Sequence, residues 1–120
     1  MMKIFAGALL VALSSAAMAG EGTVRPSGST PGSADLTQTN CEIIASTETA
    51  KIRLSKDVEG AYNCSSTAAG FGTAHPQGKG KRFGASSNGG AIDERTATIS
   101  DADTASTAAA AAALAAKNAS

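Results

Sequence analysis

The sequence predicts a mainly β protein: a small antiparallel meander stapled by one disulfide, with a flexible N-terminal linker and an Ala-rich C-terminal helix or disordered tail. Three observations predict this fold class. Short runs in which apolar and polar residues alternate are separated by glycine-containing turns within residues 41–99, as strands and hairpins require. The chain has two cysteines, Cys41 and Cys64. Residues 100–120 are dominated by alanine, which has the highest helix propensity.

Residues 1–19 have the pattern of a secretory signal peptide. Lys3 supplies a positive charge before the apolar run of residues 4–13, and Ala17 and Ala19 supply the small side chains that signal peptidase requires. The apolar run is too short for a membrane-spanning helix, which needs about 20 residues. The sequence therefore predicts an exported protein, periplasmic or extracellular, with no stable membrane span after cleavage.

Residues 20–40 are rich in Gly, Ser, Thr and Pro and show no periodicity of 2 or 3.6 residues. This composition is typical of a flexible linker. Most of the large apolar residues that follow lie between Ile43 and Ile99, so the small β domain is predicted to span residues 41–99. Because large apolar side chains are few, the predicted core is thin.

The two cysteines are predicted to form a disulfide that compensates for the thin core. An even cysteine count in an exported protein favours a structural bridge between Cys41 and Cys64. A redox pair usually has the spacing Cys-x-x-Cys. A zinc site needs three or four ligands, and the chain has only one histidine. In the chain-entropy model, closing a loop of this length stabilises a domain by about 3 kcal/mol.

The alternation of side chains predicts a first hairpin near the start of the β domain. Ile52 and Leu54 point to one face of a strand, and the segment 58–64 keeps the same parity after a turn at Lys56-Asp57. A regular two-residue turn would therefore keep one apolar face directed inward.

Asn88-Gly89 predicts a second hairpin, between residues 82–86 and residues 91–95. Asn-Gly is a preferred pair for a type I′ turn, because both central residues of that turn need a positive φ. The two hairpins and the neighbouring segments predict a meander of four to six short strands.

The C-terminal segment predicts a helix from about residue 101 to residue 117. Ser100 and Asp103 have the spacing of a capping box, and Lys117 lies where the helix dipole favours positive charge. Leu114 is the only large apolar residue of this segment. Because a helix with so small an apolar face gains little from burial, it is expected to dock weakly or to fray.

Four basic or titratable side chains surround the glycines of residues 75–82: His75, Lys79, Lys81 and Arg82. In one interpretation the backbone N–H groups and the cations hold an anion. In the other, the segment is a solvated connector between strands, and its cations keep a sheet edge from pairing with other chains. The pattern of a nucleotide-binding P-loop is absent.

Composition and motifs argue against two classes of function. No serine has a nucleophile-elbow sequence, and His75 is the only histidine available as a base, so an enzyme is not expected. After removal of Lys3 the net charge is about −1, which argues against nucleic-acid binding. No cofactor or metal is expected.

The expected function is that of a non-catalytic exported protein, an envelope, surface or interaction component whose partner is an envelope protein or an anionic surface ligand. The alternative is an anion-binding module in which Lys79, Lys81, Arg82 and His75 hold a polysaccharide or phosphate group.

Overall fold

A computed structural model describes residues 20–119, so the predicted signal peptide lies outside the described residues. The described chain forms seven strands and one helix. The strands are β1 (Glu21–Val24), β2 (Ser33–Leu36), β3 (Ala50–Arg53), β4 (Glu59–Cys64), β5 (Ala69–Ala74), β6 (Lys81–Ser86) and β7 (Asp93–Thr96), and the helix is α1 (Ala102–Asn118). The predicted fold class is confirmed: antiparallel sheets, one disulfide and a C-terminal helix.

Five strands form one antiparallel sheet in the order β1-β4-β5-β6-β7, and β2 and β3 form a separate two-stranded ribbon. The strands from β4 to β7 are consecutive antiparallel neighbours, and β1 pairs with the other side of β4. Helix α1 packs on one face of the sheet, which we call the helix face, against residues such as Ala61 and Gly72. The ribbon packs on part of the opposite face, the ribbon face, against Tyr62 and Phe71.

Residues 20–40 differ from the flexible linker that their composition predicts. They contain β1, which lies along β4, and β2, which pairs with β3. Val24 and Leu36, at the ends of these strands, are only 2% and 0% exposed. Each strand is four residues long and carries one large apolar side chain, so no periodicity could reveal it. The backbone hydrogen bonds of neighbouring strands supply the order that the local sequence lacks.

The predicted turn at Lys56-Asp57 is present, and Asp57 has a positive φ of 63°. The predicted hairpin across this turn is wrong, because β3 pairs with β2 whereas β4 pairs with β1 and β5. Burial explains the separation. Strand β4 is covered almost throughout and needs a neighbour on each side, whereas β3 alternates between half-buried and exposed residues, as a peripheral ribbon strand does.

The second predicted hairpin is confirmed, because β6 and β7 pair in antiparallel fashion. The predicted turn type is wrong. The positive φ angles belong to Gly89 (84°) and Gly90 (94°), and Asn88 is not among the residues with positive φ. With two adjacent glycines the chain reverses without placing an asparagine in the left-handed region, and the connection between the strands is longer than two residues.

Helix α1 packs closely on the sheet, which corrects the expectation of weak docking. Its buried side chains are all small: Ala105, Ser106, Ala108, Ala109, Ala112, Ala113 and Ala116. Opposite them, the sheet presents Gly70 and Gly72, where an added Cβ would overlap the carbonyl oxygens of Ala113 and Ala109. Methyl groups and bare backbone therefore make contact over the length of the helix, and many dispersion contacts replace a few large side chains.

The helix begins one residue later than the predicted capping pattern. Asp101 is the N-cap, not Ser100: its Oδ1 accepts a hydrogen bond from the Thr104 N–H (2.8 Å), and Thr104 Oγ1 accepts one from the Asp101 N–H (3.0 Å). The backbone N–H of Thr104, followed by its hydroxyl group, lowers the pKa of Asp101. The folded state therefore favours the ionised carboxylate at this position.

We expect the cap to make the stability of the helix fall with acid. Because the pKa of Asp101 is lowered on folding, its stabilisation is complete above the ordinary value of 3.8 and is lost as the pH falls below that value. Asp101→Asn keeps a capping side chain that does not titrate. Thermal unfolding, followed by circular dichroism between pH 7 and pH 2, should show a smaller acid-induced loss in Asp101→Asn than in the wild type. Equal losses in the two proteins would contradict this role.

Candidate functional site

The basic segment forms the joint between β5 and β6. His75 Nδ1 accepts a hydrogen bond from the backbone N–H of Gln77 (3.0 Å), and the His75 carbonyl oxygen accepts one from the Gly78 N–H (2.9 Å). Gly80 has a positive φ of 67°, and its carbonyl oxygen accepts a hydrogen bond from the Ala97 N–H. One nitrogen of the histidine ring thus takes part in building the turn.

The structure does not bring the predicted anion-binding cations together. Lys79 is exposed in the loop. Lys81 lies on the ribbon face, where its Nζ is 4.0 Å from Glu94 Oε1. Arg82 lies on the helix face, because adjacent residues of a strand point to opposite faces. This placement favours the connector interpretation of the segment. The charged edge strand is β7, since β6 has a neighbour on both sides.

The two cysteines form the predicted disulfide. Cys41 follows the turn after β2, and Cys64 is the last residue of β4. Both are buried in an apolar cluster with Leu36 and Ala69, against which side chains of the ribbon and of the ribbon face pack. A buried disulfide indicates that the protein matures in a non-reducing environment.

A polar cluster that the sequence did not predict links three elements at one end of the sheet. Glu59, on β4, is 2% exposed, and its Oε1 accepts a hydrogen bond from Arg25 Nε at 2.6 Å. Arg25 Nη2 donates a second hydrogen bond to Asp103 Oδ1, in the first turn of α1, at 2.9 Å. The hydrogen bond with Glu59 raises the pKa of Arg25. Residues after β1, on β4 and on α1 are therefore joined through one guanidinium group.

A cleft of about 280 Å³ adjoins this cluster and is lined by Asp57, Glu59 and His75, among others. The carboxylate of Glu59 is held by Arg25, and His75 Nδ1 is used by its own turn. Within residues 20–119, no group of three or more His, Cys, Asp or Glu residues is placed to hold a metal ion. The arrangement is that of a structural ion pair. The only sequence signal for it was a glutamate within a strand of small and apolar residues.

We expect Arg25→Met to destabilise the protein because it leaves the buried Glu59 carboxylate without its partner. The double variant Arg25→Met/Glu59→Gln should recover part of that loss. Urea unfolding of the wild type, both single variants and the double variant measures the coupling directly. The control is Lys51→Met, which removes a cation from an exposed ion pair with Asp35 and should change stability little. Strictly additive losses would contradict a coupled pair.

Among residues 20–119, no helix has the length and hydropathy needed to cross a membrane. Comparisons with protein-family models, with curated proteins and with solved structures find no match for this chain. Its function must therefore be inferred from its own residues and their arrangement.

Proposed function

We propose that the protein is an exported, non-catalytic component of the cell envelope or cell surface that acts through contacts with another molecule. The Cys41–Cys64 disulfide carries the proposal. It is buried in an apolar cluster of the described fold, which supports maturation in a compartment where thiols are oxidised. The signal-peptide pattern of residues 1–19 is consistent with that compartment.

An interaction role is supported by apolar side chains that the fold leaves open to solvent. Phe83, on the ribbon face of β6, is 39% exposed and is not part of the apolar cluster at the ribbon, and Ile92, in the loop before β7, is 68% exposed. Phe83 pairs across the strands with Glu94, which follows Ile92 by two residues, and aromatic side chains are enriched at protein interfaces. Leu114 is exposed as well, but it lies on α1.

The alternative, an anion-binding module built on the basic loop, has less support. Its residues Lys79, Lys81, Arg82 and His75 are divided between a loop, two faces of the sheet and a structural turn. A single anion would have to contact side chains that point away from each other.

Fractionation of the producing cells, with mass spectrometry of the recovered chain, tests the export proposal. We expect the chain in the periplasmic or extracellular fraction, beginning at Gly20, with both cysteines protected from alkylation until a reductant is added. Replacing Ala17 and Ala19 with leucine should block cleavage and leave the precursor. A wild-type chain that stays in the cytoplasm with free thiols would refute export.

Capture of partners from the envelope fraction tests the interaction role. Phe83→Asn should remove binding, whereas Leu114→Asn, which deletes a similarly exposed side chain from the helix, should retain it. Loss of binding in both variants, or in neither, would exclude the ribbon face around Phe83 as the contact surface.

A further inference from the structure

Two arginines lie directly opposite each other on neighbouring strands at the open side of the helix face. The register pairs Arg82 of β6 with Arg95 of β7. Both point to the helix face, because Gly84, two residues after Arg82, faces α1 and is paired with Asp93, two residues before Arg95. Like charges in direct cross-strand positions destabilise a sheet. The pair is therefore a site where a bound anion would relieve repulsion.

The charges around this pair leave it positive. Arg95 Nε donates to Asp93 Oδ2 at 2.7 Å, which neutralises one of the two cations. Arg82 has no ion pair or side-chain hydrogen bond within the part of the chain that the structure describes. The carboxylates at the start of α1 are held elsewhere, because Asp103 binds Arg25 and the Asp101 carboxylate accepts hydrogen bonds from Thr104. Neither of these two carboxylates forms an ion pair with Arg82.

Two clefts between α1 and the last strands lead to the arginines. One, of about 460 Å³, is lined by Arg95, Asp93, Ala115 and Ala116 among others. The other, of about 310 Å³, is lined by Arg82 together with Thr104, Thr107 and alanines of the helix. All four residues of β7 are exposed. The two clefts have no lining residue in common, so one arginine borders each of them, and the cross-strand pair of arginines lies between the two.

We propose that Arg82 and Arg95 bind a tetrahedral oxyanion, the phosphate or sulfate monoester of a small ligand that lies beside α1 at the β6–β7 edge of the sheet. Two guanidinium groups can donate to different oxygens of one tetrahedral group, and Arg95 uses only its Nε for Asp93. The site differs from the basic loop, since it includes Arg82 but neither Lys79 nor Lys81. It does not rest on the export proposal, because it depends only on the register of β6 and β7.

Titration of the full, disulfide-bonded chain, followed by ¹⁵N–¹H NMR, tests the site. The probes are glucose 6-phosphate, glucose 6-sulfate and, as a neutral control, glucose. We expect saturable shifts of β6, β7 and the facing side of α1 with one or both esters and none with glucose. The stronger ester identifies the oxyanion, and added salt should weaken its binding. The absence of saturable shifts with both esters would overturn the proposal.

Matched variants locate the site. Arg82→Gln and Arg95→Gln should each weaken binding of the stronger ester by about tenfold or more, since each removes charge-assisted hydrogen bonds. Lys79→Gln and Lys81→Gln remove the same charge from the loop and from the ribbon face, and should change affinity by less than about twofold. Thermal unfolding verifies that each variant is folded. Equal weakening by Lys81→Gln and Arg82→Gln would indicate non-specific attraction and would refute the site.

Discussion

Replacing Gly72 with alanine is expected to destabilise the protein by about 3 kcal/mol or more, at the upper end of what overpacking costs. The added methyl group would overlap the Ala109 carbonyl oxygen and would lie 2.7 Å from the Ala113 backbone nitrogen. Both atoms belong to the helix backbone, so no side chain can rotate away to make room. The helix must move off the sheet, and the contacts of its alanines are lost with it.

The control for this variant is Gly22→Ala, in the same sheet. There the new methyl group meets the hydroxyl end of the Tyr62 side chain, at 2.6 Å, which can shift by rotation. Urea unfolding, followed by far-ultraviolet circular dichroism, should show a much lower midpoint for Gly72→Ala than for Gly22→Ala. The same reasoning applied to the helix predicts that Ala109→Leu is far more damaging than Ala110→Leu, because Ala110 is exposed. Equal midpoints for the two glycine variants would contradict the close packing of α1.

Reduction of the Cys41–Cys64 disulfide is expected to lower the free energy of unfolding by about 3 kcal/mol, the chain-entropy value for a loop of this length. The two residues are 23 positions apart, and the loop that the bond closes contains β3, one of the two ribbon strands, and β4. Without the bond, the unfolded chain gains freedom, and the cluster around Leu36 loses its link to β4. For a domain of marginal stability this is a large share of the total.

Urea unfolding with and without a reductant measures the effect. The double variant Cys41→Ala/Cys64→Ala serves as the control, because it should match the reduced wild type and should not respond to reductant. An oxidised wild type that unfolds at the same urea concentration as the reduced form would show that the disulfide adds nothing to stability. In that case the argument that the fold depends on a non-reducing compartment would fail as well.

Local patterns predicted the elements that carry a strong local signal. The disulfide followed from cysteine count, the β6–β7 hairpin from its glycine-rich turn, and α1 from alanine content with polar residues at its start. Each of these signals acts over a few neighbouring residues or requires only one partner. Such local signals therefore predict structure even in a chain with few large apolar residues.

The rest depends on contacts that are distant in the sequence. The composition around β1 and β2 predicts a linker, because the single large apolar residue in each strand, Val24 or Leu36, creates no pattern until the partner strand is known. Hydropathy predicts weak docking of α1 because the helix has one large apolar residue, whereas its small side chains allow the helix to pack closely on the glycines of the sheet. Gly70 and Gly72 make room for the helix, which lies far from them in the sequence.

The predicted anion site shows the same limit. Closeness in sequence suggested that Lys79, Lys81 and Arg82 act together, but strand geometry sends Lys81 and Arg82 to opposite faces. The residue that does stand beside Arg82 is Arg95, on the next strand. Likewise, the pairing of Arg25 with Glu59 joins residues 34 positions apart, and no local pattern marks it.

A row of identical methyl groups does not define where the helix sits along the sheet. Sliding α1 by one turn, roughly 5.4 Å, would often replace an alanine by another alanine over the same glycines. The hydrogen bond from Arg25 to Asp103 removes this ambiguity, because it ties the first turn of the helix to the segment after β1, and the cap at Asp101 fixes where the helix begins. Alanines added near residue 119 would lengthen the helix in place, whereas the same insertion before residue 105 would shift every later residue against the sheet. The alanine tract can thus vary in length at its far end while its beginning stays fixed.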